Sequence, residues 1–522
     1  MKGPKFLISI LLAIACLIMA GIPNDIYAQS AKDVPWLVSV TYQNVGTGPA
    51  TIMVNFYGEE SDTPITFNPL QGIGDGRLAA GAGASFFIGA VSGIPDGWRG
   101  NAVVLSDQPL VATVVQFSNA PGFKMRLLSN GFQASDASEQ YLIATTLLNK
   151  FNRTTVFSIQ NVENAPILAT IRFYDADNNG VLASTITHTI PANSSKYIDM
   201  SKPADTGLPA ERTSFNGSAI ITAVLASDGT TPAKVVAAAS EYYINRPVAA
   251  NFEGLPLSRA STTVYMATAL CERFGLDTFY AVQNASLTES TFIEVVYRDL
   301  NGNVVARDGR YQIGPGQKKS IVTCAPNDGT NMSNFTGSAV ISSYNAATDT
   351  TPGAPIVVIG KAQASLRAPT PITVDAFTAF MGEPAGVSKI ACPFIRWASA
   401  ANFVPDKPGK QRTFIAIQNL ENSTIKVVVT YKDRDGNTVG TPQVLTIPAY
   451  SKANSDPFSA GAVAAGGAFG MNPGEFGYYT DGGFGAGAII EAHSDNPGAK
   501  FIAIVRANNA GASEDYNGPP AP

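Results

Sequence analysis

Few side chains in this sequence stand at spacings that do chemistry, and the clearest set is an acidic hairpin, Asp175-Ala176-Asp177-Asn178-Asn179-Gly180. Oxygen donors at Asp175, Asp177 and Asn179, followed by a Gly that permits a sharp turn, match the first half of a calcium-binding loop. The acid that closes such a loop at its twelfth position is missing, because Ile186 stands there. Asn-Gly with flanking Asp also forms a tight hairpin with no metal at all. The hairpin is therefore a weak calcium candidate, and the sequence calls for no cofactor.

Acid-base catalysis at neutral pH often recruits His. The chain has two, His188 and His493, and neither has a second His or Cys at ligand spacing. His188 sits in an alternating run, residues 185–190, and reads as a strand side chain. No G-x-S-x-G elbow, H-E-x-x-H helix, phosphate-cradling G-x-x-x-x-G-K or Cys-x-x-Cys pair occurs. Paired carboxylates drawn from distant strands would leave no short signature, so a secreted hydrolase stays as the lesser reading. A Gly-rich insertion, residues 458–484, offers Phe476, Tyr478, Tyr479 and Phe484 as aromatics that could stack on a carbohydrate or another polymer. Cys271 and Cys324 form a candidate disulfide, and Cys392 reads as a buried small apolar side chain.

The elements that must position these residues repeat. A Gln-Asn pair closes an alternating apolar run four times, at Gln43-Asn44, Gln160-Asn161, Gln283-Asn284 and Gln418-Asn419. A Tyr follows each Asn, at Tyr57, Tyr174, Tyr297 and Tyr431, thirteen residues on in the first three copies and twelve in the fourth. A Gly then opens another apolar run at Gly100, Gly217, Gly337 and Gly487. Self-similarity at this period means repeated structural units. Successive Gln residues lie 117, 123 and 135 apart, the size of a small domain and far longer than a solenoid repeat.

Within each copy, short runs rich in Val, Ile, Thr, Phe and Tyr are bounded by Gly, Pro, Asn and Asp, which is the signature of strands. The expected fold is all-β, four tandem antiparallel immunoglobulin-like β-sandwich domains. The boundaries follow as 29–120 for a first module shortened at its start, 121–246, 247–368, and 369–515 for a fourth module carrying the insertion, with 516–522 as a disordered tail. The repeated Asn reads as a side chain that satisfies backbone groups where the strand turns. Which face of the strand before the Tyr is buried stays open, because Ile171 and Phe173 alternate out of phase with Ile293 and Val295 relative to that Tyr.

Residues 1–28 read as a cleaved secretory signal: Lys2 and Lys5, an apolar stretch, Pro23, then Ala28 at the cleavage site. No later stretch is long enough to cross a bilayer as a helix, so the mature chain has no transmembrane anchor in this reading. Removing the leader takes two Lys and one Asp and moves the formal charge from −5 to −6. That balance, with only 14% charged residues, lacks the basic footprint of nucleic-acid binding.

The order of aromatic-rich run, Gln-Asn, Tyr, Gly-rich hairpin, Pro and Gly-Ser-Ala resembles the tandem β-sandwich modules of secreted bacterial surface proteins. The resemblance covers nearly the whole mature chain and transfers no catalytic residue. It implies a non-enzymatic secreted or cell-surface protein with a structural or adhesive role, self-assembling or contacting other surface proteins or envelope polysaccharide. An extracellular carbohydrate- or polymer-binding protein is the alternative.

Overall fold

The structure is a computed structural model, and it describes residues 30–72, 74–120, 123–246, 248–365, 376–398, 411–463, 487–509 and 512–522. The leader and Phe476, Tyr478, Tyr479 and Phe484 lie outside the described residues.

The chain is all-β, and its eight antiparallel sheets fall into four consecutive pairs. The first pair holds β1 (Leu37–Asn44), β2 (Ile52–Gly58), β3 (Pro64–Phe67), β4 (Gly83–Phe87), β5 (Gly100–Ser106), β6 (Leu110–Ala120) and β7 (Phe123–Asn130). The second holds β8 (Gln140–Leu148), β9 (Arg153–Asn161), β10 (Ile167–Asp175), β11 (Val181–Ile190), β12 (Ser195–Asp199), β13 (Phe215–Leu225), β14 (Val235–Tyr243), β15 (Ala249–Glu253) and the two-residue β16 (Leu255–Pro256). The third holds β17 (Thr263–Cys271), β18 (Leu276–Asn284), β19 (Thr291–Arg298), β20 (Val304–Ile313), β21 (Lys318–Val322), β22 (Phe335–Tyr344), β23 (Ile356–Ala364) and β24 (Phe377–Met381). The fourth holds β25 (Lys389–Cys392), β26 (Trp397–Ala398), β27 (Gln411–Asn419), β28 (Ile425–Lys432), β29 (Thr438–Ile447), β30 (Lys452–Ser455), β31 (Gly487–Ala492), β32 (Phe501–Asn509) and β33 (Ala512–Asn517).

One wiring repeats in all four. In the third, the sheets run β17-β22-β19-β20 and β21-β18-β23-β24. The second and fourth keep that order, while the first, among the described residues, has no opening strand and runs β3-β2-β5 and β4-β1-β6-β7. Trp36 lies just ahead of β1.

The boundaries differ from the expectation at each end of a unit. β7, β15 and β24 lie beyond residues 120, 246 and 368, yet they pair with β6, β14 and β23 of the preceding sheets. The C-terminal tail is also structured: Tyr516 and Asn517 complete β33, and Pro520 bridges to Ile390. These last strands are short and buried on both faces, so they lack the alternation that marks a half-exposed strand.

The last strands also set the tertiary plan. β7 packs on β15, β15 on β24, β24 on β33, and β33 back on β7, which closes a ring about a central axis. Asn130, Glu253, Met381 and Asn517 occupy one equivalent position in the four strands, opposite Thr113, Ala238, Ile359 and Ile504. They join across the axis. Asn130 donates its N–H to the Glu253 carboxylate and its Nδ2 to the Asn517 carbonyl at 2.7 Å. Asn517 accepts from Met381 N–H at 2.8 Å and donates to Met381 O at 2.9 Å.

The hydrophobic cores are shared around the ring rather than separate. Ala281, Val357, Ile359 and Phe377 of the third unit pack into the core of the second, Ile502 and Ile504 of the fourth into the third, and Val115, Phe117 and Leu128 of the first into the fourth. Neighbouring sheet pairs therefore contribute side chains to one another's cores.

Candidate functional site

One contact recurs around the ring, with a side-chain donor at three of its four boundaries. Asn193, Gly316, Tyr450 and Gly81 lie two residues before the position paired with the repeated Gln, and all have positive φ, at 57°, 67°, 55° and 77°. That left-handed turn points each carbonyl at the preceding unit. Asn101 Nδ2 donates to Asn193 O at 3.0 Å, Ser218 Oγ to Gly316 O at 2.7 Å and Ser338 Oγ to Tyr450 O at 2.9 Å. The fourth copy differs because Gly487 stands at the equivalent place, Ala488 facing the core opposite Tyr431 as Ala219 does opposite Phe173, and Gly81 O instead accepts from Gln43 Nε2 of its own unit at 3.1 Å. This contact, between the fourth and first units, is still linked by the Gly83 N–H to Arg434 O at 3.0 Å.

The Gly just before each of these positions has a steric reason. A Cβ at Gly100, Gly217 or Gly337 would lie 2.1, 2.2 or 1.9 Å from the carbonyl of Tyr57, Tyr174 or Arg298. Only a residue without a side chain lets the two strands approach at that point.

The repeated Asn works inside each unit. Asn161 Nδ2 donates to Ala165, Ile190 and Pro191 carbonyls at 2.8, 3.2 and 2.9 Å, and its Oδ1 accepts from Glu163 N–H at 2.8 Å. Asn44, Asn284 and Asn419 repeat the pattern. Each ties two turns that would otherwise leave buried carbonyls unsatisfied.

Several buried charged groups meet at unit boundaries. Glu241 is fully buried and accepts from Arg153 at 2.7 Å and from Lys361 of the third unit at 2.5 Å. Burial alone would raise its carboxyl, but Lys361 and Arg153 together bring it down to about 2. Thr145 Oγ1 accepts from Lys361 at 3.1 Å and Lys318 at 3.4 Å. Desolvation, with Lys361 beside it, pushes Lys318 down to about 7. Near the axis, Glu514 is buried with Arg126 Nε at 3.6 Å, and neither carboxylate oxygen has a hydrogen bond. Burial raises it to about 7 despite that guanidinium. Lys452 is likewise lowered to about 7 by desolvation beside Arg506, which pairs with Asp515 at 2.7 and 2.5 Å.

The residues singled out in the sequence fall apart as a site. Asp175 is paired with Arg212, Asp177 accepts from Lys150 at 2.6 Å and from Asn216 at 2.7 Å, and Asn179 takes the left-handed turn position. The hairpin carboxylates are thus occupied by the protein's own cations, which accounts for them as a fold element. Cys271 and Cys324 form a disulfide with Cα atoms 5.0 Å apart, and Asp277 Oδ1 lies 3.2 Å from Cys324 Sγ. With the two sulfurs bonded to each other, the trio offers no thiolate pair to a metal. Cys392 is buried, and its thiol is raised by desolvation. His188 Nε2 contacts Asp205 O at 2.9 Å, and His493 Nδ1 lies near Asp495.

Two cavities bear on catalysis among the described residues. One, about 240 Å³, lies between the fourth and first units against Asn44, Gly46, Gly81, Lys389, Lys432 and Glu491. The other lies on the axis and draws its lining from all four last strands, with Glu514 and Asp515 on one wall. The first holds a single carboxylate, Glu491, with Lys389 and Lys432, and the second has no room for a water molecule. Neither pairs two carboxylates across an open cleft, as glycoside hydrolysis needs. No helix among the described residues is long and apolar enough to cross a membrane. No family model matches the chain, and no curated protein matches it.

Proposed function

We propose that this chain is a non-enzymatic secreted or cell-surface structural protein, a ring of four immunoglobulin-like β-sandwich modules used as a rigid adhesive building block. The observation that carries the reading is the repeated contact of Asn101, Ser218 and Ser338 on the left-handed turns of the following units. Polar side chains and shared cores are spent on holding one shape, and rigidity of shape is what a spacer or coat needs. Export rests on the leader-like residues 1–28, and the bacterial surface setting on the resemblance of the repeated motifs.

Fractionation of the native host with immunogold labelling of intact cells tests it. Surface label in a regular pattern is the expected outcome, with a mature chain beginning near Gln29. Label confined to the cell interior overturns the reading.

A further inference from the structure

Three phenylalanines are the most exposed large hydrophobic residues among those described: Phe151 at 55%, Phe274 at 64% and Phe458 at 65%. They share one place in the fold. Phe151 and Phe274 sit at the equivalent two-residue turns between β8 and β9 and between β17 and β18, closed by Lys150–Arg153 and Arg273–Leu276 backbone bonds. Phe458 follows β30 and stacks on Trp397, at the same end of the fourth unit. Because equivalent residues of the four last strands meet in one layer about the axis, these ends face the same side of the ring.

Folding does not account for them. Phe151 and Phe274 have φ of 54° and 55°, a region that suits Asn or Gly and costs a bulky aromatic energy. Their rings also stay in water, so neither burial nor backbone preference favours Phe there. Each ring has a cation or an aromatic on one side. Arg273 lies 5.0 Å from the centroid of Phe274 and Lys150 5.6 Å from that of Phe151, while Trp397 stacks at 5.7 Å on Phe458 and carries Arg412 at 4.4 Å. The exposed remainder is a flat apolar platform, with exposed Asn149 and Asn152 beside Phe151 in the chain and exposed Asn334 bonded to Arg273 next to Phe274.

We infer that this face of the ring binds an uncharged polysaccharide, with the three Phe rings stacking on pyranose faces and the neighbouring amides meeting hydroxyls. The inference rests on the adhesive reading above and names its ligand. A lipid surface fits less well. Lys150 is already paired with Asp177 and Glu272 adjoins Arg273, so two of the three tips set an acid beside their cation and offer anionic headgroups little net positive charge. Three platforms on one rigid body give avidity to a repeating chain that a single weak stacking site lacks.

The test uses the full mature chain in pull-downs with cellulose and chitin and in affinity gels containing mannan, with phosphatidylcholine and phosphatidylglycerol vesicles alongside. The comparison is a Phe151→Asn, Phe274→Asn, Phe458→Ser variant. The expected result is binding to at least one polysaccharide, at least tenfold weaker in the variant, with a melting temperature that is equal or higher because Asn suits the left-handed turn. Retention of none of the three polysaccharides, equal binding by the variant, or binding to vesicles alone overturns the inference. Surface labelling is an independent measurement, so a failed glycan assay leaves the structural reading standing.

Discussion

Ser218 Oγ donates to Gly316 O across a unit boundary at 2.7 Å, and both atoms are buried. The equivalent bond appears at two other boundaries and is missing at the fourth, where Gly487 stands in place of the donor. Ser218→Ala should cost about 1 kcal/mol, the worth of one intramolecular hydrogen bond, since Gln283 Nε2 still reaches Gly316 O at 3.3 Å. Gly487→Ser puts a hydroxyl at the matching place of the fourth unit and should stabilise by a similar amount once the Gln43 amide moves aside. Urea midpoints of the two variants against the parent decide both signs.

Asn161→Ala should be far more damaging. It removes three donated bonds and one accepted bond at two turns of the second unit, and buried carbonyls left without partners cost about 1–3 kcal/mol each. A loss of about 3 kcal/mol or more is expected from denaturant unfolding, and a change under 1 kcal/mol would show the pin to be dispensable.

Glu241→Ala leaves Lys361 and Arg153 as buried cations with no anion between them. Breaking a buried pair from one side costs about 3–5 kcal/mol. Calorimetry should show a clear drop in melting temperature. A Glu241→Ala, Lys361→Met double variant should recover part of it.

Three buried groups predict an unusual pH profile. Glu514 is raised from 4.5 to about 7, so its contribution is present below 4.5 and lost as pH climbs to 7. Lys318 and Lys452 are lowered from 10.5 to about 7, so theirs is present above 10.5 and lost as pH falls to 7. Together they place a local stability minimum near neutrality, measurable as urea midpoints between pH 5 and 10. Glu514→Gln should flatten the acidic limb alone.

The Cys271–Cys324 bond closes a stretch of 53 residues. Chain-entropy arguments put such a crosslink at up to about 4 kcal/mol. Replacing both Cys by Ser should lower the denaturant midpoint without changing the oligomeric state seen by light scattering.

Much of this architecture could be read from the residues. Strand runs, Gly-bearing hairpins and the role of the repeated Asn all follow from local chemistry. The evenly spaced Tyr was a less faithful marker. Asn284 reaches Glu289 five residues on, where Asn44, Asn161 and Asn419 each reach four. That extra residue in the third unit turns Tyr297 into its own core, whereas Tyr174 packs against Gly316 of the next unit. One insertion therefore explains why the apolar phases of Phe173 and Val295 differ. The last strands were hidden because β15 and β24 are five residues long, buried on both faces and set among connectors. Closure of the ring had no local signal at all, although Asn101, Ser218 and Ser338, against Gly487 at the same register position, mark one boundary as different. Of the proposed binding face, the pairs Lys150-Phe151 and Arg273-Phe274 were visible, but their exposure and left-handed turns were not.

Three of the four boundaries have a peptide linker running across them, and the fourth has only side chains, packing and a few backbone bonds. That boundary is also the one that lost its Ser or Asn donor. A pull on the molecule thus meets its weakest link where the first and fourth sandwiches touch, and the body would unroll there like a bracelet at its clasp, with the other three joints intact.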